Sequence, residues 1–243
     1  MSRNSSAITP EIKHLATISK RVSAIDEKHF TGYKVYRGLR DDQGRGVLTG
    51  LTEVSEVCGH IEIDGRTEYI PGELLYRGYD VEDIVKDLYK TNRYGFEETI
   101  YLLLFGNLPN KTELADFEKL LSGYRNLPTT FVKDVVMKAP SPDIMNSMAR
   151  GVLTLFSYDK FPDDISIPNV LRQCLSLIAI FPQLAVYSYQ AYDYFLSDSN
   201  SFFFHDPDPN LSTAQNILHM LRIDKQYTET EAHALDIALV LHA

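Results

Sequence analysis

Hydrophobic residues recur along most of this chain at helical spacing, and one glycine-rich stretch near the amino terminus breaks the rhythm. Thr9 followed by Pro10 has the form of an N-cap and a first helical residue, predicting a helix to about Asp26. Behind Asp80, a capping aspartate, Val81, Ile84, Val85 and Leu88 fall at i, i+3, i+4 and i+7. Residues 96–105 are almost wholly apolar and close on Gly106, which predicts a buried helix with a left-handed end. Asn110 and Glu113 resemble a capping box ahead of Leu114, Phe117, Leu120, Leu121 and Tyr124. Pro142 precedes a further helix with Met145, Met148, Val152 and Phe156 along one side. Residues 169–196 read as one long helix, apolar nearly all round and kinked near Pro182.

Residues 197–210, with two prolines and four phenylalanine or histidine side chains, read as a surface loop. Ser212 then caps a helix bearing Ile217, Leu218 and Leu221. The last helix opens on a capping box, Thr228 with Glu231, and continues through Ala232, Leu235, Ala238, Leu239 and His242. No Gly, Asn or Pro closes it, so the expectation is a chain cut in mid-helix. No repeat recurs at a fixed period, which disfavours a helical solenoid.

The exception is the stretch from Gly32 to Gly78, which holds nine glycines, many β-branched residues and the hairpin pair Asp64-Gly65. It predicts short strands near 54–63 and 67–70, forming a small antiparallel ribbon. The organisation expected is therefore an amino-terminal helix and arm over residues 1–45, then a ribbon and mainly α-helical body over 46–243.

Composition narrows the function classes. At 243 residues, 44% hydrophobic and 23% charged, the chain suits an ordered globular protein. Its formal net charge of −9 argues against nucleic acid as the main partner, although a few placed arginines could still grip a phosphorylated ligand. Cys58 and Cys174, the only cysteines, form no C-x-x-C pair and read as two buried, reduced thiols of a cytoplasmic protein. No apolar signal segment follows Met1. The most apolar run, residues 175–186, is short for a bilayer and interrupted by Pro182, so a soluble protein without a membrane partner is expected.

Common catalytic patterns are missing. The glycines of residues 44–50 match neither a dinucleotide fingerprint nor a P-loop, and read as a turn into the ribbon. The seven histidines include no H-x-x-x-H or H-E-x-x-H pair, so no metal site is predicted. His205, Asp206 and Asp208 could face a hard cation, but such loop residues are usually solvated. No G-x-S-x-G occurs.

Five ordered segments supply what these patterns do not. Tyr76-Arg77-Gly78-Tyr79-Asp80-Val81 resembles the Y-R-G-Y-[DS]-[IV] segment of citrate synthases. The run from Phe96 to Pro109 is similar to that family's F-E-E-x-x-Y-L-L-x-x-G-x-L-P. Upstream, Arg37-Gly38-Leu39-Arg40 with Gly44-Arg45-Gly46-Val47 resembles the arginine-glycine lead into its ribbon. Downstream, Ser212, Ala214, Asn216, Ile217, Leu218, Met220 and Leu221 match the helix before its active-site region. The final Ala238-Leu239-Val240-Leu241-His242-Ala243 resembles the start of its L-x-[IL]-H-[AS]-D-H-E.

The resemblance implies a multi-helical large domain with a small antiparallel ribbon, part of a homodimer, with the family's small domain absent. The family condenses acetyl-CoA, a substrate and no bound cofactor, with oxaloacetate to give citrate and CoA. An aspartate takes a methyl proton, one histidine stabilises the enol, and another polarises the ketone. By the same resemblance those three groups follow the segment that His242 opens, so no catalytic residue is expected in this chain and the chain itself is expected to be inactive. Two residues are candidates for substrate contact. Arg37 matches an arginine that reaches a CoA phosphate, work suited to an always-charged, two-pronged guanidinium, with a solvated arginine on an arm as the alternative. His242 matches the first histidine of the oxaloacetate region, with a frayed side chain without function as the alternative. Arg77 is expected to make structural ion-pair or carbonyl contacts. Condensation of propionyl-CoA to 2-methylcitrate is an equal fit to these residues, and a non-enzymatic helical association module is the reading from a different class.

Overall fold

The computed structural model describes all residues except 1–5, 34, 37, 41–42, 45–46, 64–65 and 198–200, together with the side chain at 62. Helix α1 (Pro10–Val22) starts where expected, with the Thr9 hydroxyl accepting from the Ile12 N–H at 3.2 Å. It stops four residues earlier than predicted, because Asp26 caps a separate short helix, α2 (Glu27–Gly32).

Strands β1 (Ser55–Ile63) and β2 (Arg66–Tyr76) form the antiparallel ribbon, and β3 (Tyr79–Asp80) adds a third, two-residue strand. β2 runs six residues past the predicted end at Ile70, through Pro71 and Gly72. Cys58 pairs with Glu73 and His60 with Tyr69, leaving Gly59 alone opposite residues 70–72. The bulge thus absorbs the proline's missing N–H and pairing resumes beyond it. The Asp64-Gly65 turn itself lies outside the described residues.

Helices α3 (Val81–Thr91), α4 (Phe96–Phe105) and α5 (Lys111–Tyr124) follow, α3 capped by Asp80 and α5 by the full Asn110/Glu113 box. A π-helical turn, Val132–Val136, was not foreshadowed by any breaker in the sequence. Next come α6 (Ile144–Phe156), capped by Asp143, and the 30-residue α7 (Ile167–Leu196). The last two are α8 (Thr213–Leu221) and α9 (Glu229–Leu241), each opening on a capping box with both reciprocal bonds made.

Two large hydrophobic clusters share α7. Its first half packs Leu171, Leu175 and Ala179 against Ile12 and Leu15 of α1, Tyr101 and Phe105 of α4, and Phe117 and Leu121 of α5. The rings of Tyr101, Phe105 and Phe117 meet edge to face at 4.7–5.9 Å. Its second half packs Leu184 and Tyr187 against Phe131, Val136 and Met220. A smaller cluster joins Tyr76, Val81 and Leu102.

α7 runs unbroken through Pro182, so its apolar span is longer than the sequence suggested. By length and composition alone it could cross a bilayer. Its packing into both clusters explains the same composition. Residues 201–210 form a surface loop as expected, pinned to α7: Phe204 packs edge to face on Tyr187 at 5.1 Å, and the Tyr187 hydroxyl donates to the His205 carbonyl at 2.9 Å. One further expectation is corrected: the thiols are not buried, since Cys58 is half-buried and Cys174 exposed.

Candidate functional site

The segment on which the family resemblance converges is the carboxyl-terminal end of α9, the helix held by α4, α8 and β2. Ala232, Asp236 and Val240 form its buried stripe, four residues apart. Asp236 accepts from the Gly95 N–H at 2.6 Å and the Phe96 N–H at 3.2 Å, so a side chain of α9 caps the amino end of α4. Burial pushes its carboxyl up to about 6, and nearby Glu97 adds to the rise, against the pull of the two N–H groups and His233. A carboxylate in the middle of an otherwise apolar stripe was the sequence signal for this contact.

Glu97, on α4, hands the same service to α8. One of its carboxylate oxygens accepts from both the N–H and the hydroxyl of Thr213 at 2.7 Å, and Arg125 lies 3.5 Å away, all of them buried. Glu98, the next residue, pairs with Arg93 at 3.1 Å. The two glutamates of the F-E-E segment are thus consumed by architecture.

The Tyr76-Arg77 pair does for helix ends what the acids do for helix starts. The buried Tyr76 hydroxyl donates to the Val240 carbonyl of α9 at 3.0 Å. Arg77, turned by a φ of +51°, donates through Nε and Nη2 to the Leu103 carbonyl of α4, at 3.1 and 2.9 Å, and through Nη1 to the Val22 carbonyl of α1 at 3.1 Å. Carbonyl contacts were the role expected of Arg77. Gly95 and Gly106 complete the packing of α4: a Cβ at Gly95 would lie 2.2 Å from Leu88 Cδ1, and Gly106 has φ +85° against Val22.

Of the two predicted contact residues, Arg37 lies outside the described residues. His242 sits exposed at the end of α9, its Nδ1 2.7 Å from the Ala238 carbonyl. A carbonyl oxygen can only accept, so Nδ1 carries a proton and Nε2 is the ring nitrogen left for other partners. A cleft of about 340 Å³ opens between the ribbon end and α3, lined by Asp80, Asp83, Asp87, Glu98 and Arg93. Arg93 is already paired with Asp87 and Glu98, so a dicarboxylate or a phosphate there would meet uncompensated negative charge. Among the described residues no three His, Cys, Asp or Glu side chains gather as metal ligands, and His205 and Asp208 contact backbone and Asn210 instead.

Known proteins place this arrangement. The family model described as citrate synthase, C-terminal domain, matches residues 38–243. The citrate synthase of Haloferax volcanii is 32% identical over 203 residues, which cover 82% of this chain and 47% of that protein. The 2-methylcitrate synthase of Shewanella oneidensis is 28% identical over 174 residues, 70% of this chain and 41% of that protein. The fold is shared with the crystal structure of citrate synthase from Pyrobaculum aerophilum at a TM-score of 0.64 and 23% identity, over 84% of this chain and 49% of that one. The chain therefore spans about half the length of the curated relatives it matches. With a match that runs from the ribbon lead to the last turn of α9, this chain belongs to the citrate synthase family.

Proposed function

We propose that this chain is the large-domain part of a citrate synthase whose whole protein condenses acetyl-CoA with oxaloacetate to citrate and CoA. The observation that carries the reading is a family match over residues 38–243 that covers only about half of each relative. The described residues fit a scaffold role, because the carboxylates of the F-E-E segment and the Tyr76-Arg77 pair are spent on helix ends. On this reading Arg37 contributes to CoA phosphate binding, His242 belongs to the oxaloacetate region, and the acid, the base and the ketone polariser come from residues outside this chain. The 243-residue chain alone is inactive. The protein works as a homodimer, which the exposed Met145, Leu153 and Phe156 of α6 support. The two unpaired thiols suit the reducing cytoplasm.

Similarity to a 2-methylcitrate synthase supports a second acyl donor, propionyl-CoA. The test is CoA thiol release from acetyl-CoA and propionyl-CoA, with and without oxaloacetate, by the product of the complete gene and by the 243-residue chain. Thiol release by the complete product is expected only when oxaloacetate is present, and the better acyl donor separates the two synthases. No release from either donor leaves the helical association module as the function. Release by the 243-residue chain above background overturns its assignment as scaffold.

A further inference from the structure

α9 is fastened to the body along its length: near its start Tyr94 donates to Glu229 at 2.7 Å and stacks on His233 at 4.4 Å, and two points of different chemistry follow. Asp236 reaches out with its side chain to the start of α4, and Val240, one turn later on the same face, offers its backbone carbonyl to Tyr76. Asp236 and Val240, four residues apart on one face, carry that hold into the last turn, where the Tyr76 bond lies two residues from His242. The anchors are themselves fixed: Tyr76 is 2% exposed and pairs with Ser55 across β1 and Tyr79 across β3, and the two N–H donors belong to the first turn of the buried α4.

The rotation so fixed determines where His242 points. At about 100° per residue, position 242 lies roughly 200° around the helix from position 240. Clamping Val240 inward therefore turns His242 outward, which agrees with its exposure. The bond from Nδ1 to the Ala238 carbonyl then aims Nε2 away from the body.

We propose that Tyr76 and Asp236 are positioning residues that set the rotation of α9 and keep its last turn wound, and with it the Ala238–His242 bond and the outward aim of His242. The consequence for catalysis rests on the reading above that His242 belongs to the oxaloacetate region; the clamp itself does not.

The decisive measurement is ¹⁵N NMR of the histidine rings in the 243-residue chain, with His242→Gln identifying the His242 signals. Wild-type protein is expected to show the signature of a ring protonated at Nδ1. In Tyr76→Phe, which removes a single oxygen, that signature is expected to move towards a mixture of the two tautomers. Amide exchange at residues 240–242 is expected to quicken about ten-fold, the effect of losing one ordinary hydrogen bond. The His14 signals on α1 are expected to stay in place. Asp236→Asn is expected to act in the same direction, and if it loses the fold Tyr76→Phe alone decides. His242 signals in Tyr76→Phe that coincide with wild type would overturn the clamp. In the complete gene product the same variant is expected to raise KM for oxaloacetate five- to ten-fold and leave KM for acetyl-CoA unchanged. A moved NMR signature with an unmoved KM overturns the placement of His242 near oxaloacetate and leaves the clamp standing.

Discussion

α4 and α6 are both apolar helices by sequence, yet they end in opposite circumstances. Seven of the ten residues of α4 are buried, whereas among the thirteen of α6 only Gly151 is. α4 has neighbours on every side and distant side chains at both ends, Asp236 at its start and Arg77 at its finish. α6 turns one face to α7 and leaves Met145 and Leu153 about three-quarters exposed. Periodicity reports that a face calls for cover; it does not report whether cover is present. The two motifs with the strongest family resemblance surround the covered helix, and their polar residues hold it in place.

The comparison can be broken most severely at Glu97. Glu97→Ala leaves the Arg125 guanidinium buried without its carboxylate and removes the acceptor of the Thr213 N–H and hydroxyl at the first residue of α8. A loss of about 3–5 kcal/mol is expected in urea unfolding, the cost of orphaning a buried charge. A loss below about 1 kcal/mol would mean that the cluster is open to water.

Asp236 supplies a pH-dependent test of the same helix. Its carboxyl stands at about 6 in the folded chain against an ordinary 3.8, so the folded state holds this proton more tightly than the unfolded one. The stability it contributes is complete below about 3.8 and is lost as pH rises through 6. About two pH units correspond to a change of roughly 3 kcal/mol. Wild type is thus expected to lose stability relative to Asp236→Asn between pH 4 and 7, measured as paired Tm values. Curves that run parallel would remove Asp236 as a titrating group in that window.

Arg77→Met keeps the bulk and deletes the donors to Leu103 and Val22. About 2 kcal/mol is expected, in line with charged hydrogen bonds to backbone carbonyls at a half-buried site. At the other pole, Leu153→Ser on α6 is expected to change stability by less than about 0.5 kcal/mol in dilute monomer. A larger loss that depends on protein concentration would show that a second copy covers this face.

What was legible in the sequence was local. The boxes Asn110/Glu113 and Thr228/Glu231 place donor and acceptor three residues apart, Ser212 stands as a cap, and each of these helices starts where its cap stands. α4 was legible from its run of apolar residues and Gly106. Non-local capping was hidden, because the partners of Glu97 and Asp236 lie 116 and 141 residues away. β2 was cut short at Ile70 because Pro71-Gly72 reads as a breaker, while the bulge opposite Gly59 that rescues it is a property of the pairing. The packing of the half-buried Phe204 on Tyr187 was masked by a polar, proline-rich setting. Of the candidate site, His242 could be named from motif order, but its tautomer depends on Ala238 and its aim on Tyr76.

The cap that joins Asp236 to Gly95 also orders events in time. Its two halves are 141 residues apart, so on a ribosome adding roughly 5–20 residues per second the start of α4 waits on the order of ten seconds for its partner. Glu97 faces the same delay for Thr213, 116 residues on. Closing such loops is slow because chain entropy is lost before any contact rewards it. During that interval the most apolar helix of the first half lacks its Asp236 cap, and Glu97 lacks Thr213, while Glu98 already has Arg93 five residues before it. Until α9 emerges, the start of α4 stands without the carboxylate that completes it.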